Sequence, residues 1–153
     1  MTTLREQFTA ELKTAMLAKD ASRVSAIRMI TARLKDVDIA ARPKGVTAVP
    51  DEEIIGMLRG MVKSRRESAD LYRQGARPEL EAKEEAEIAV IEAFLPQQMD
   101  QATIEAAVAA AVAQTGATGI KEMGRVMAAL RASHGAVLDM AVAGPLVKAK
   151  LGG

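Results

Sequence analysis

Residues 61–98, MVKSRRESADLYRQGARPELEAKEEAEIAVIEAFLPQQ, constrain the fold more than any other stretch. A basic, helix-patterned segment gives way at Gly75-Ala76-Arg77-Pro78 to an acidic one, which Pro96 stops. Two helices joined by so short a connection fold back on each other as an antiparallel hairpin. Residues 1–77 carry fifteen Lys/Arg against ten Asp/Glu, whereas residues 78–98 carry one Lys against six Glu. The whole-chain charge of +1 therefore hides two opposed blocks. Charged helical surfaces are what this chain has to work with.

The rest of the chain is also helical in pattern. Residues 4–17 are rich in helix formers, and Lys19-Asp20 ends that segment. Asp20 or Ser22 can cap the next helix, in which Val24, Ile27, Ile30, Leu34 and Val37 follow three/four spacing. Two prolines and a glycine make 42–50 a loop. Asp51, with Glu52 and Glu53, reads as a capping residue and acidic first turn. The helix it opens runs to about Gln74 with Gly75 as its C-terminal cap, and Pro78 starts the acidic helix, which reaches Phe94. Asp100 opens a second module: an Ala-dominated helix 103–114, a turn at 115–119, a helix 120–132, a loop holding His134 and Gly135, and a terminal helix. No strand pattern or repeat is present. The expectation is an all-α protein, with a helical N-terminal domain over 1–97 that contains a long hairpin and a small three-helix domain over 98–153.

With 153 residues and 49% hydrophobic content, the chain is long and apolar enough for a folded core. The longest apolar run, 106–113, is far short of the ~20 residues of a membrane helix. The N-terminus lacks an apolar signal core, and there is no Cys, so a cytoplasmic location is expected. The aromatics are Phe8, Tyr72 and Phe94, which disfavours base stacking as a mode of nucleic-acid binding. Contact with structured RNA through phosphates and shape needs only cations and backbone. Nine Met residues fill the core or, alternatively, line a groove for a partner.

On a helical wheel, Ile54, Ile55, Leu58, Met61, Val62, Ala69 and Tyr72 share one face, and Arg65 falls inside it. In the acidic helix Leu80, Ile88, Ile91 and Leu95 define a face, with Glu84 inside. A charge is costly to bury alone, so Arg65 and Glu84 are expected to pair across the hairpin. Arg59, Lys63, Arg66 and Arg73 flank the stripe, and Arg28 and Lys35 share a face of the second helix. This basic patch can meet phosphates, or it is a solvated surface neutralised by the acidic helix, which is the preferred reading. In the second module Ile120, Met123, Val126, Met127 and Leu130 form the expected buried face. Lys121 and Arg125 flank the small residues Gly124 and Ala128, and the turn 115–119 offers helix N-terminal N–H groups to an anion. Gly124 and Ala128 can equally serve close packing inside the domain.

Catalytic patterns are missing: no Gly-rich phosphate loop with Lys, no GxSxG, no HExxH, no Cys/His pair. His134 lacks a partner. Glu84 and Glu87 have no His/Glu set beside them and read as a solvated face. No catalytic residue, metal site or cofactor is expected.

KSRRESADLYRQGARPELEAKEEAEIAVIEAFLPQQM resembles the signature segment of the YqeY family, stand-alone relatives of the tail of the tRNA-dependent amidotransferase B subunit. SAIRMITARLK is similar to the family's second helix, and ATGIKEMGRVMAAL to the tail shared by both groups. The resemblance covers nearly the whole chain. It implies a helical N-terminal unit, a small helical C-terminal unit and a link to tRNA, because the corresponding tail of the amidotransferase touches the tRNA body. It puts Lys121, Gly124, Arg125 and Val126 at the motif's core, with Lys121 and Arg125 as phosphate contacts. Arg131 and Lys148 are further candidate RNA-binding cations of the second module. The resemblance transfers no catalytic activity, since the amidotransferase's kinase-like domain has no counterpart here. A label of carbon–nitrogen ligase with glutamine as amido-N-donor would rest on resemblance alone. Two departures stand out. The family's basic, glycine-containing run here reads ASHGAVLD, with no Lys or Arg between Arg131 and Lys148, and Pro145 should kink or restart the last helix.

The expected function is a non-catalytic, tRNA-associated accessory protein that binds tRNA through its C-terminal domain. The alternative is a helical adaptor for an amidotransferase or an aminoacyl-tRNA synthetase. Neither DNA nor a membrane is an expected partner.

Overall fold

The computed structural model describes residues 2–152. Their regular structure is all helical: α1 (Leu4–Leu17), α2 (Ala21–Ala41), α3 (Asp51–Gln74) and α4 (Pro78–Glu92), then α5 (Gln101–Thr115), α6 (Met123–His134) and α7 (Met140–Gly152). Short 3-10 turns lie at Arg42–Lys44, Ile120–Glu122 and Gly135–Val137. The chain divides into two compact units, Met1–Leu95 and Pro96–Gly153, each with its own core.

In the first unit Phe8, Ile27, Ile30, Ile54, Leu58 and Ile91 are fully buried. Phe8 meets Phe94 edge to face, with ring centroids 4.9 Å apart at 84°. That geometry suits the aromatic quadrupoles. The stripes expected on α2 and α3 are the buried faces, with Val24, Val37, Ile55 and Tyr72 half-buried at their margins. The second unit packs Ile104, Val108, Val126, Leu130, Leu138 and Val147.

Helix ends follow the punctuation, with informative shifts. Thr3 and Glu6 form a capping box on α1, and Asp20 and Asp100 cap α2 and α5 by accepting the N–H groups of Arg23 and Thr103. Asp51 does not cap α3. The cap position is Pro50, and the Asp51 carboxylate accepts the N–H of Leu4 at 3.1 Å, serving the start of α1. At the end of α3 the left-handed residue is Ala76 (φ 54°), one past Gly75. The N–H groups of Ala76 and Arg77 return to the carbonyls of Arg73 and Tyr72, closing a Schellman turn despite the Cβ. Lys19 (φ 56°) plays the same part after α1.

Three expectations are corrected in position. α4 ends at Glu92, and Phe94 is buried in the turn after it. Residues 120–122 form a 3-10 turn, whose tighter rotation takes Ile120 off the buried face and leaves it 47% exposed. His134 is the last residue of α6, outside any loop. α7 runs through Pro145 as one helix. The carbonyl that loses its donor there belongs to the exposed Ala141, where water can replace the bond.

Candidate nucleic-acid interface

Lys121 lies in the Ile120–Glu122 turn, and Gly124 and Arg125 lie in the first turn of α6; all three are exposed. The end of α7 comes to the same place, because a Cβ placed on Gly152 would sit 3.8 Å from Ile120 Cδ1. Lys148, one turn earlier, is exposed on that last stretch of α7. Arg131 is also exposed but occupies the opposite end of α6, where a cation offsets the helix dipole. Lys121, Gly124 and Arg125 thus lie together at the start of α6, the end of α7 comes beside Ile120, and Arg131 lies at the far end of α6.

Gly124 and Ala128 are exposed, and a Cβ on Gly124 would meet nothing within 4 Å. Close packing inside the unit does not account for Gly124. Arg125 and Glu122 do have work inside the unit. The Arg125 guanidinium donates to the Thr115 carbonyl, one of the unpaired acceptors at the end of α5. The Glu122 carboxylate accepts the Thr118 N–H at 2.9 Å. The turn 115–119, expected to offer that N–H to an external anion, is thus already served by an internal one, and a phosphate there would meet like charge. The sequence signal for this was a Glu four residues after Thr118, within reach once the intervening residues turn.

The N-terminal basic patch separates into two kinds of residue. Arg73 donates to Glu81 at 2.7 Å and lies within 3.5 Å of Glu85, and Arg66 pairs with Glu92. The hydrogen bond that Arg73 donates to Glu81 raises the Arg73 pKa further, with the nearby charge of Glu81 adding to it. Arg28, Lys35 and Lys63 are exposed, and Arg59 is half-buried. The acidic helix therefore neutralises Arg66 and Arg73, and Lys63 on the same helix stays exposed.

Arg65 finds its carboxylate on α4, but it is Glu87 at 3.2 Å, not Glu84. Both side chains are only 16% exposed. The guanidinium also donates to the Met61 carbonyl and to the Met29 sulfur. The register explains the change. Arg65 and Glu87 lie eleven residues either side of Ala76, and equal rise along two antiparallel helices sets such residues opposite. Glu84 is one turn too close to the connection.

A second polar clasp holds the first unit together. Arg5 donates both terminal nitrogens to Asp38 at 2.9 and 2.8 Å and one of them also to the Val49 carbonyl; Asp38 accepts the Val49 N–H. These bonds tie α1, α2 and the loop before α3. The Arg5 hydrogen bond, helped by the Val49 N–H, lowers the Asp38 pKa to about 2. Among the described residues no group of three or more His, Cys, Asp or Glu could hold a metal ion, and no helix is long and apolar enough to cross a membrane.

A family model described as Yqey-like protein matches residues 5–151. The chain belongs to the Yqey-like protein family. The match takes in both units, as the motif resemblance implied. Similar curated proteins are the fungal "Altered inheritance of mitochondria protein 41, mitochondrial". The Eremothecium gossypii protein is 35% identical over 85 residues, which are 56% of this chain and 45% of the relative. A Saccharomyces cerevisiae protein of the same name is 29% identical over 87 residues, or 57% and 45%. The matched part of this Yqey-like chain spans about half the length of these relatives.

Proposed function

We propose that this Yqey-like protein is a non-catalytic, tRNA-associated accessory protein that contacts tRNA through its C-terminal unit. The observation that carries the reading is the open edge of α6, where Lys121 and Arg125 flank a glycine with free space above its backbone. Backbone that close to the surface admits a phosphate–sugar chain, and the cations neutralise it without reading bases. The likeness of this segment to the tail of the tRNA-dependent amidotransferase supports the choice of tRNA. The loss of Arg66 and Arg73 to intramolecular pairs supports the C-terminal unit over the hairpin. The compartment we propose is the cytoplasm; a mitochondrial place, as in the names of the fungal relatives, suits the same reading.

The test is a titration with total tRNA at two salt concentrations, on the native chain and on Lys121→Ala/Arg125→Ala. Binding should weaken as salt rises and fall at least tenfold in the double variant. Because Arg125 also holds the end of α5, Lys121→Glu alone, with helicity checked by circular dichroism, separates lost contact from lost fold. A folded native chain that fails to bind at low salt would sink the reading. The adaptor for an amidotransferase or aminoacyl-tRNA synthetase would then be the reading to test, by a complex that survives high salt.

A further inference from the structure

The corner where α1 turns into α2 carries features that neither the core nor the RNA reading uses. Leu17 is 76% exposed and Met16 is 52% exposed, at the end of a helix whose other face is well packed. Beside them lies an open hollow of about 720 Å³ that runs along α2 from Ala21 to Ala32. Its apolar lining comes from Met16, Val24 and Met29, and its charged lining from Lys19 and Arg28. No residue lining it is acidic. Neither cation has a carboxylate partner among the described residues, and the nearby acids are engaged: Asp20 caps α2 and Glu11 pairs with Arg23. A second hollow, which shares Met29 and Ala32 with the first, lies between α2 and α3, where Gly56 and Gly60 line the wall and open space lies above both.

We propose that this corner is a docking site for an amphipathic α-helix of another protein, one that presents aliphatic side chains flanked by carboxylates. The length of the α2 strip, about three turns or ~16 Å, matches one face of a helix. Exposed thioethers adapt to aliphatic partners at little cost in shape. The sign of the partner follows from Lys19 and Arg28, which supply positive charge on the rim with nothing of opposite sign in the lining. The mixed charges farther along, Arg33, Asp36 and Glu53, set no preference. A nucleic acid would gain the two cations but would cover an aliphatic floor with no aromatic ring on it. The site lies in the first unit, so it stands or falls separately from tRNA contact through Lys121.

The probe is a fluorescein-labelled synthetic helix with Leu at i, i+3 and i+7 and Glu on both flanks, against an isomer with Lys in place of Glu. Fluorescence anisotropy with the full chain should show saturable binding of the Glu peptide, at least tenfold tighter than the Lys isomer. Methyl NMR should show the Met16 and Met29 resonances moving on addition of that peptide. The charge reversal Lys19→Glu/Arg28→Glu, at two exposed positions, should invert the preference. Absence of saturable binding, equal binding of the two isomers, a preference untouched by the reversal, or unmoved Met16 and Met29 methyls would each overturn the proposal. Anionic vesicles that bind through the same cations while the Glu peptide does not would also overturn it and assign the corner to a lipid surface.

Discussion

Asp38 shows how one carboxylate can hold three segments. It accepts two hydrogen bonds from Arg5 and one from the Val49 N–H, and these lower its pKa to about 2 from an ordinary 3.8. The stabilisation is present above the unfolded-state pKa and is lost as pH falls through the folded one. Unfolding of the first unit in denaturant should therefore hold its midpoint down to about pH 4 and lose about 1–2 kcal/mol between pH 4 and pH 2 from this group, the figure kept low because Arg5 is a third exposed. Asp38→Asn should remove much of that slope while lowering stability at pH 7. An unchanged slope in the variant would show that other carboxylates carry the acid sensitivity. Neither Arg5 nor Asp38 stood out in the sequence, because a pair 33 residues apart follows no helical spacing.

The α3–α4 hairpin is the element whose chemistry was most legible beforehand. An Arg inside an apolar stripe and an acidic helix after a short turn announced a cross-helix ion pair, and Arg65 does pair across the hairpin, with Glu87 in place of the expected Glu84. Its partner was misassigned because helix-face periodicity places Glu84 and Glu87 on one face and does not distinguish them. Only the register, set by the turn around Ala76, does so. Arg65→Met alone should destabilise the first unit by about 1–3 kcal/mol, since Glu87 is left largely shielded without a partner. Arg65→Met/Glu87→Leu should recover much of the loss, and Glu84→Gln should change little. A double-mutant cycle read by denaturant unfolding measures the coupling, and a coupling as large for Arg65 with Glu84 would contradict the register.

For the molecule as a whole, two cores with no shared residue make two stability problems. Leu130, almost wholly buried in α6, belongs to the second core only. Leu130→Ala should cost that unit about 2–5 kcal/mol and leave the first unit's stability unchanged. Hydrogen exchange followed residue by residue would show protection lost after Pro96 and kept before it. Loss of protection throughout would mean that the two units unfold as one.

The all-helical class, the starts of α2, α4 and α5 at Asp20, Pro78 and Asp100, the stripes of α2 and α3 and the kinship of the chain were all decided by local pattern. Each depends on residues within a turn or two of one another, where spacing and propensity act directly. Tertiary structure decided which acid meets Arg65, that Asp51 serves the start of α1, that Arg125 reaches the end of α5, and that Arg66 and Arg73 are spoken for. It also decided that Leu17, Met16, Lys19 and Arg28 stand together at an open corner. Pairing across the chain depends on register and on the distance between elements, and no single helix contains either quantity.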